Sequence, residues 1–255
     1  MKTVELYNFL NNAIPSSLSC EWDNDGAMCC PDKEKEVRRA LITLDITAEA
    51  VEYAKDGGFD VIISHHPLIF KGLKSITPEV CVSARVIALI KSGISAMSFH
   101  TRLDALSGGV NDTLAERLGV LNAVPFGSDG ESIGRVGELS EPMELSDFAR
   151  LVKEALGAPA VLCTNAGQKV KRVALLGGEG GDDIAAANAS GADTYVSGRL
   201  GYHAMTDAPE CGMNLIEAGH FYTEFPVCEK LRELVKQADA DIECEIFFSN
   251  KIELI

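Results

Sequence analysis

The 255 residues carry a formal net charge of −15, 46% hydrophobic residues and 6% aromatics, which excludes a disordered chain and fits one large α/β domain or two modest ones. No Lys/Arg run exceeds the pairs Arg38-Arg39 and Lys171-Arg172, so neither nucleic acid nor anionic membrane is expected as a partner. The opening Met1-Lys2-Thr3-Val4-Glu5-Leu6 lacks the apolar run of a secretory signal and no stretch of about 20 apolar residues follows, so the expected location is cytoplasmic.

Apolar residues at 6, 9, 10, 13 and 14 after a cap at Thr3 predict a first amphipathic helix, stopped by Pro15. The run Ala40 to Asp45 reads as a strand. Thr47 can cap a helix from Ala48 to Lys55, which Gly57-Gly58 ends before the buried-type strand Phe59 to Ser64, a βαβ unit. The same grammar repeats: Thr77-Pro78-Glu79 opens a helix ending at Gly93, strand Ile94 to Phe99 follows, and Gly108-Gly109 leads into a helix from Val110 to Leu118.

Between Pro125 and Glu141 the composition turns to Gly, Ser, Asp and Glu, which places the internal boundary there. A second α/β unit follows, with a helix near Ser146 to Leu156, strands Ala160 to Thr164 and Val173 to Leu176, a glycine-rich turn, a helix to Ala189 and a strand Thr194 to Ser197. The strand Met213 to Glu217 delivers Gly219-His220. One helix is expected from there toward Gln237, with Pro226 tolerated in its first turns, and a strand Ile242 to Phe248 comes last. The eight cysteines are scattered, without a C-x-x-C pair, and stretches such as Ala160-Val161-Leu162-Cys163 suggest free thiols packing as small hydrophobes.

All five histidines lie in short segments at element ends: His65-His66 before Pro67, His100 after Phe99, His203 after Gly201-Tyr202, and His220 after Gly219. His65, His66, His100 and Asp104 fall just past two strand ends, where open parallel sheets gather ligands. On an extended backbone the adjacent His65 and His66 point to opposite sides, so one strand end could serve two neighbouring metals. His220 and Glu224 are spaced i, i+4 and share a helical face. The set His65, His66, Asp104, His220 and Glu224 suits two divalent ions (Zn, Fe, Mn, Ni or Co) roughly 3.5 to 4 Å apart, as in two-metal hydrolytic sites. For His100 and His203, orienting a ligand or transferring a proton competes with direct ligation. Arg199 could bind an anionic substrate, against the plainer reading of a surface Arg beside acidic charge. The run Gly177-Gly178-Glu179-Gly180-Gly181 lacks the P-loop ending, and Glu179 opposes phosphate, so a tight turn without ligand is the better reading.

Together these segments resemble the Nif-three-like family, whose members are often labelled type-two GTP cyclohydrolase homologues. The likeness rests on Glu21-Trp22-Asp23-Asn24-Asp25-Gly26, Leu44-Asp45, Ser64-His65-His66-Pro67, His100 to Asp104 with Gly109 to Asp112, Ser197 to His203, and Gly219-His220 with Glu224. It implies two α/β domains with mixed sheets flanked by helices, 1–125 with about 221–255 and 126–220, a dinuclear metal site in the cleft between them, and a ring-like homohexamer. The five metal residues match the family's ligands. Departures at Gly26-Ala27-Met28-Cys29-Cys30, at Arg102 where Asn is common and at Arg199 where an acidic residue is common bear on substrate choice more than on metal binding. The expected function is a metal-dependent hydrolase of a small substrate, phosphorylated or a nucleotide, with His100 or His203 moving protons. GTP ring opening and a non-catalytic metal chaperone or scaffold are the alternatives.

Overall fold

The structure, a computed structural model, describes residues 1–128, 132–253 and 255. It divides into two compact units, Met1–Leu103 with Val227–Lys251 and Asp104–Pro226 with Ile252–Ile255, each built on its own mixed sheet. These lines fall at 103/104 and 226/227; the division expected from the sequence was 1–125 with about 221–255 and 126–220. The stretch 125–141 instead holds strand residues of the second unit, and its positions 129–131 lie outside the described residues.

In the first unit, β2 (Arg39–Thr43), β3 (Val61–Ser64) and β4 (Ser95–Ser98) run parallel. Every residue of β3 and β4 is buried, the signature of strands covered on both faces. The crossovers are α2 (Ala48–Asp56), capped by Thr47 Oγ1 accepting the Ala50 N–H at 3.1 Å, and α3 (Cys81–Ser92), closed by left-handed Gly93. The latter begins at Cys81 because Pro78-Glu79 form a turn rather than a first helical turn. Helix α1 (Thr3–Ala13) starts with Thr3 inside it; the Lys2 N–H is held by Glu5 Oε2 at 2.8 Å. The sheet is completed by β1 (Gly26–Cys29), antiparallel to β4, and by β11 (Glu243–Phe247), parallel to β2, giving the order β1-β4-β3-β2-β11.

The second unit opens inside the short helix α4 (Thr101–Ala105), continues through α5 (Val110–Arg117), and then forms β5 (Leu121–Phe126) and β6 (Gly134–Met143). Helix α6 (Leu145–Leu156) buries Leu145, Phe148, Ala149 and Val152, the i, i+3, i+4, i+7 stripe that packs on the sheet. The remaining strands are β7 (Leu162–Thr164), β8 (Val170–Glu179), β9 (Thr194–Arg199) and β10 (Asn214–Glu217), in the order β5-β6-β8-β9-β10-β7. Of these, β8, β9 and β10 are mutually parallel. As an edge strand β7 leaves Leu162 and Cys163 exposed, so this cysteine does not pack as a core hydrophobe. Helices α7 (Ile184–Ala189) and α8 (Tyr202–Asp207) precede and follow β9.

The single helix expected from His220 to Gln237 is two: α9 (His220–Glu224) and α10 (Val227–Ala238). Phe225-Pro226 form the turn between them, since proline has no N–H to continue the ladder and crowds the preceding turn. The break coincides with the return of the chain to the first unit.

Candidate metal centre

In the first unit the carboxyl ends of three adjacent parallel strands deliver the chemistry: Asp45 lies beyond β2, His65-His66 beyond β3 and His100 beyond β4. The antiparallel pairing of Gly26 with Ser98 brings the segment before β1, with Asp23 and Asp25, to the same end. The chain bends at His65-His66, so the extended backbone that would send the two rings to opposite sides does not occur. His65, His66 and His100 instead converge, with ligand nitrogens within 4.8 Å of one another and ring centroids 5.0 to 5.7 Å apart.

Each ring is oriented through Nδ1. His65 Nδ1 is 3.0 Å from the Phe99 carbonyl, His66 Nδ1 is 2.7 Å from Asp45 Oδ1, and His100 Nδ1 is 2.9 Å from Asp23 Oδ1. A carbonyl or carboxylate oxygen only accepts, so Nδ1 carries the hydrogen in all three and Nε2 carries the ring's lone pair when neutral. This is how metal-binding imidazoles are held from behind. Burial opposes ionisation of Asp23, but hydrogen bonds from His100 and from the Thr101 hydroxyl, the charge of His100 and the Thr101 N–H outweigh it and hold this carboxyl far below the usual range.

In the second unit, Asp104, His220 and Glu224 come together. His220 Nε2 is 3.0 Å from Glu224 Oε2, and the Asp104 and Glu224 carboxylates reach within 4.8 Å of each other although these residues are only 7% and 4% exposed. Two buried carboxylates so close repel when ionised, and a cation held between them offsets that repulsion. Imidazole nitrogen with carboxylate oxygen is a donor set suited to Zn, Fe, Mn, Ni or Co. The residues present therefore fit divalent metal.

The sequence profile of the Duf34/NIF3 (NGG1p interacting factor 3) family matches residues 1–253. The chain belongs to the NIF3 family. It is 35% identical over 250 residues to the Clostridium perfringens protein named GTP cyclohydrolase 1 type 2 homolog, covering 95% of each chain. It is 32% identical over 222 residues to the Schizosaccharomyces pombe protein NIF3 homolog, covering 81% of this chain and 79% of that one. Among solved structures, Staphylococcus aureus hypothetical protein SA1388 superposes with a TM-score of 0.90 at 29% identity over 100% of this chain and 99% of that one. Reduced HcgD from Methanocaldococcus jannaschii gives 0.84 at 27% identity, covering 96% and 97%.

Other parts of this NIF3 chain take roles that differ from the sequence reading. Gly177, Gly178 and Glu179 prolong β8 rather than forming a turn. A side chain on Gly178 (φ +73°) would collide with Glu224 Oε1, and one on Gly198 would lie 2.7 Å from His220 Cα, so these glycines let α9 sit against the strand ends. Buried Asn111 ties the region together, donating to the Asp104 carbonyl at 3.3 Å and accepting the Gly177 N–H at 2.8 Å. His203 is exposed on α8, edge-on to Tyr202, and belongs to no ligand cluster among the described residues. The start of α8 is held by Glu217, whose Oε2 accepts the Leu200 and Gly201 N–H groups. Arg199 is 69% exposed and faces Glu179 at 3.5 Å, the ordinary surface pairing.

Arg102 is 1% exposed. Its guanidinium donates to Asp25, Asn11 and the Ile14 carbonyl at 2.8 to 2.9 Å and lies over Phe99. It anchors the first unit from inside. Asp45 and Asp23, which orient His66 and His100, were not expected as site residues. An acidic residue directly after a strand that neighbours a histidine-bearing one is the signal that would have found Asp45.

Proposed function

We propose that this NIF3-family chain holds two divalent metal ions through His65, His66, Asp104, His220 and Glu224 and acts as a metal-dependent hydrolase on a small substrate. The observation that carries the reading is the convergence of oriented imidazoles at three parallel strand ends in one unit, matched by a buried carboxylate pair and a histidine in the other. Bound divalent ions supply Lewis acidity and lower the pKa of water toward neutrality. Asp45 and the Phe99 carbonyl hold His66 and His65 in the tautomer that offers Nε2. His100, oriented through Nδ1 by Asp23, is the residue assigned to accept a proton and return it. Exposed His203 and paired Arg199 play no part in this scheme.

Relatives named GTP cyclohydrolase 1 type 2 homolog make GTP one substrate to assay, beside phosphate esters and amides. Elemental analysis of protein purified without chelator should give about two divalent ions per chain, and turnover of at least one substrate should vanish with chelator and return with metal. Retention of metal without turnover across the panel would favour a storage or scaffold role; protein that binds no divalent ion refutes the reading.

A further inference from the structure

The parallel strands β8 and β9 fall out of step beside α9. Leu176 pairs with Ser197 and Glu179 with Arg199, so β8 takes three steps where β9 takes two, and the extra residue falls at Gly177-Gly178, with Gly178 in the left-handed region at φ +73°. Such a bulge is uncommon between parallel strands. It withdraws backbone N–H groups from the ladder, and buried ones need another acceptor. Two helix side chains supply it: the Gly178 N–H donates to Thr223 Oγ1 on α9 at 3.0 Å, and the Gly177 N–H to Asn111 Oδ1 on α5 at 2.8 Å. Both side chains are buried. Each is also tied to a segment that carries a candidate ligand, because the Thr223 hydroxyl donates to the His220 carbonyl at 2.9 Å and Asn111 Nδ2 donates to the Asp104 carbonyl at 3.3 Å and the Ile133 carbonyl at 2.9 Å. A threonine bonding back to a carbonyl one turn earlier is ordinary in a helix. The second bond, to a strand outside the helix, makes it a tether. Glu224 lies against the same bulge, where a side chain on Gly177 would come 3.1 Å from Glu224 Cγ.

We propose that Thr223 and Asn111 are positioning residues of the metal centre: by capturing the two bulge N–H groups they tie α9 and the Asp104 segment to one strand end, and so fix the spacing of the Glu224 and Asp104 carboxylates. Neither residue touches a metal. Their role rests on the two-ion reading of those carboxylates and adds what holds them at that spacing. Repulsion drives two ionised carboxylates apart, so a frame that keeps them close removes the reorganisation that binding would otherwise require.

The full chain, stripped of metal, is titrated with cobalt(II) alone, reading the visible ligand-field spectrum and calorimetric affinity, with the urea midpoint measured on the same samples. Thr223→Val keeps the shape of the side chain and removes its hydroxyl, so it should lower cobalt affinity about 10- to 100-fold and alter the spectrum. Thr223→Ser retains both hydrogen bonds and should restore both readouts. Asn111→Ala cuts the other tether, should act in the same direction, and carries the test if the valine variant does not fold. Phe148→Leu, in the core that α6 covers in the same unit, lowers stability away from the bulge and should leave cobalt affinity and spectrum unchanged. The tethers are overturned if Thr223→Val binds cobalt as the wild type does, if serine fails to restore what valine loses, or if Phe148→Leu loses as much cobalt affinity at an equal fall in urea midpoint. Cobalt binding by the wild type alongside any of these confines the failure to the tethers; a wild type that binds none removes the two-ion reading itself.

Discussion

His66 and Glu224 show how the candidate centre depends on residues that never need to touch a metal. Asp45 orients the first through Nδ1, and Asp45→Asn should lower divalent-metal affinity about 10- to 100-fold with the fold retained, measured by competition with a chelating dye. Glu224→Ala should lose most bound metal, while Cys29→Ser on β1 should keep it, and full retention by the Glu224 variant would sink the ligand assignment. Gly178 separates packing from ligation. Gly178→Ala combines a left-handed backbone with a collision against Glu224, whereas Gly157→Ala at the end of α6 has the same backbone problem and open space around it. Both should lower stability, Gly157→Ala by roughly 1 kcal/mol, but Gly178→Ala alone should release metal. Equal metal content in the two variants would separate Gly178 from the centre. Asp25→Ala, which strands the buried Arg102 charge, should cost about 3 to 5 kcal/mol in a denaturant titration.

The strands and helices that bear the centre were legible to very different degrees. Strands β2, β3 and β4 with their crossover helices could be read because uninterrupted apolar runs alternate with capped amphipathic ones, and so the positions of His65, His66 and His100 at strand ends could be read too. Strands β1, β5 and β6 could not: Gly26 to Cys29 is short, and Gly134 to Met143 mixes glycine, glutamate and proline at positions whose pairing is set by distant partners. The convergence of His65 with His66 was illegible for a related reason, since a bend after β3 is a tertiary outcome. Asp60, just before β3, offers a check on how the first sheet is clamped. Its carboxylate accepts the Arg38 and Arg39 N–H groups at 2.9 and 3.1 Å and pairs with Lys35 at 3.0 Å. Burial disfavours its charge, yet the Arg38 N–H, the Lys35 ammonium and the Arg39 N–H together lower its pKa. A depressed folded-state value makes this carboxylate stabilising above its ordinary range, and that contribution disappears as pH falls through the folded-state value. The wild type should therefore lose more stability than Asp60→Asn between neutral pH and strongly acidic pH in parallel urea titrations; identical pH slopes would dismiss the clamp.

For the assembled protein, family resemblance leads to the expectation of a homo-oligomer larger than a dimer, and light scattering that returned the 27.3 kDa monomer mass would refute it. If two ions are bound, stripping them should also lower the thermal midpoint and their return should restore it, because a ligand that prefers the folded state stabilises it by mass action. Among the described residues no helix is long and apolar enough to cross a membrane. The first unit draws on residues before 104 and after 226: α10 packs on α1, β11 supplies the edge beside β2, and the Met1 amine meets Asp239 at 3.0 Å. During synthesis on the ribosome, the second unit, apart from its last residues Ile252–Ile255, is then a contiguous stretch able to close while the strands that carry His65, His66 and His100 still wait for their last neighbour. The unit that holds Asp104, His220 and Glu224 would acquire its shape in the nascent chain ahead of the one that holds the three imidazoles, so metal capture would be deferred until translation has passed Phe247.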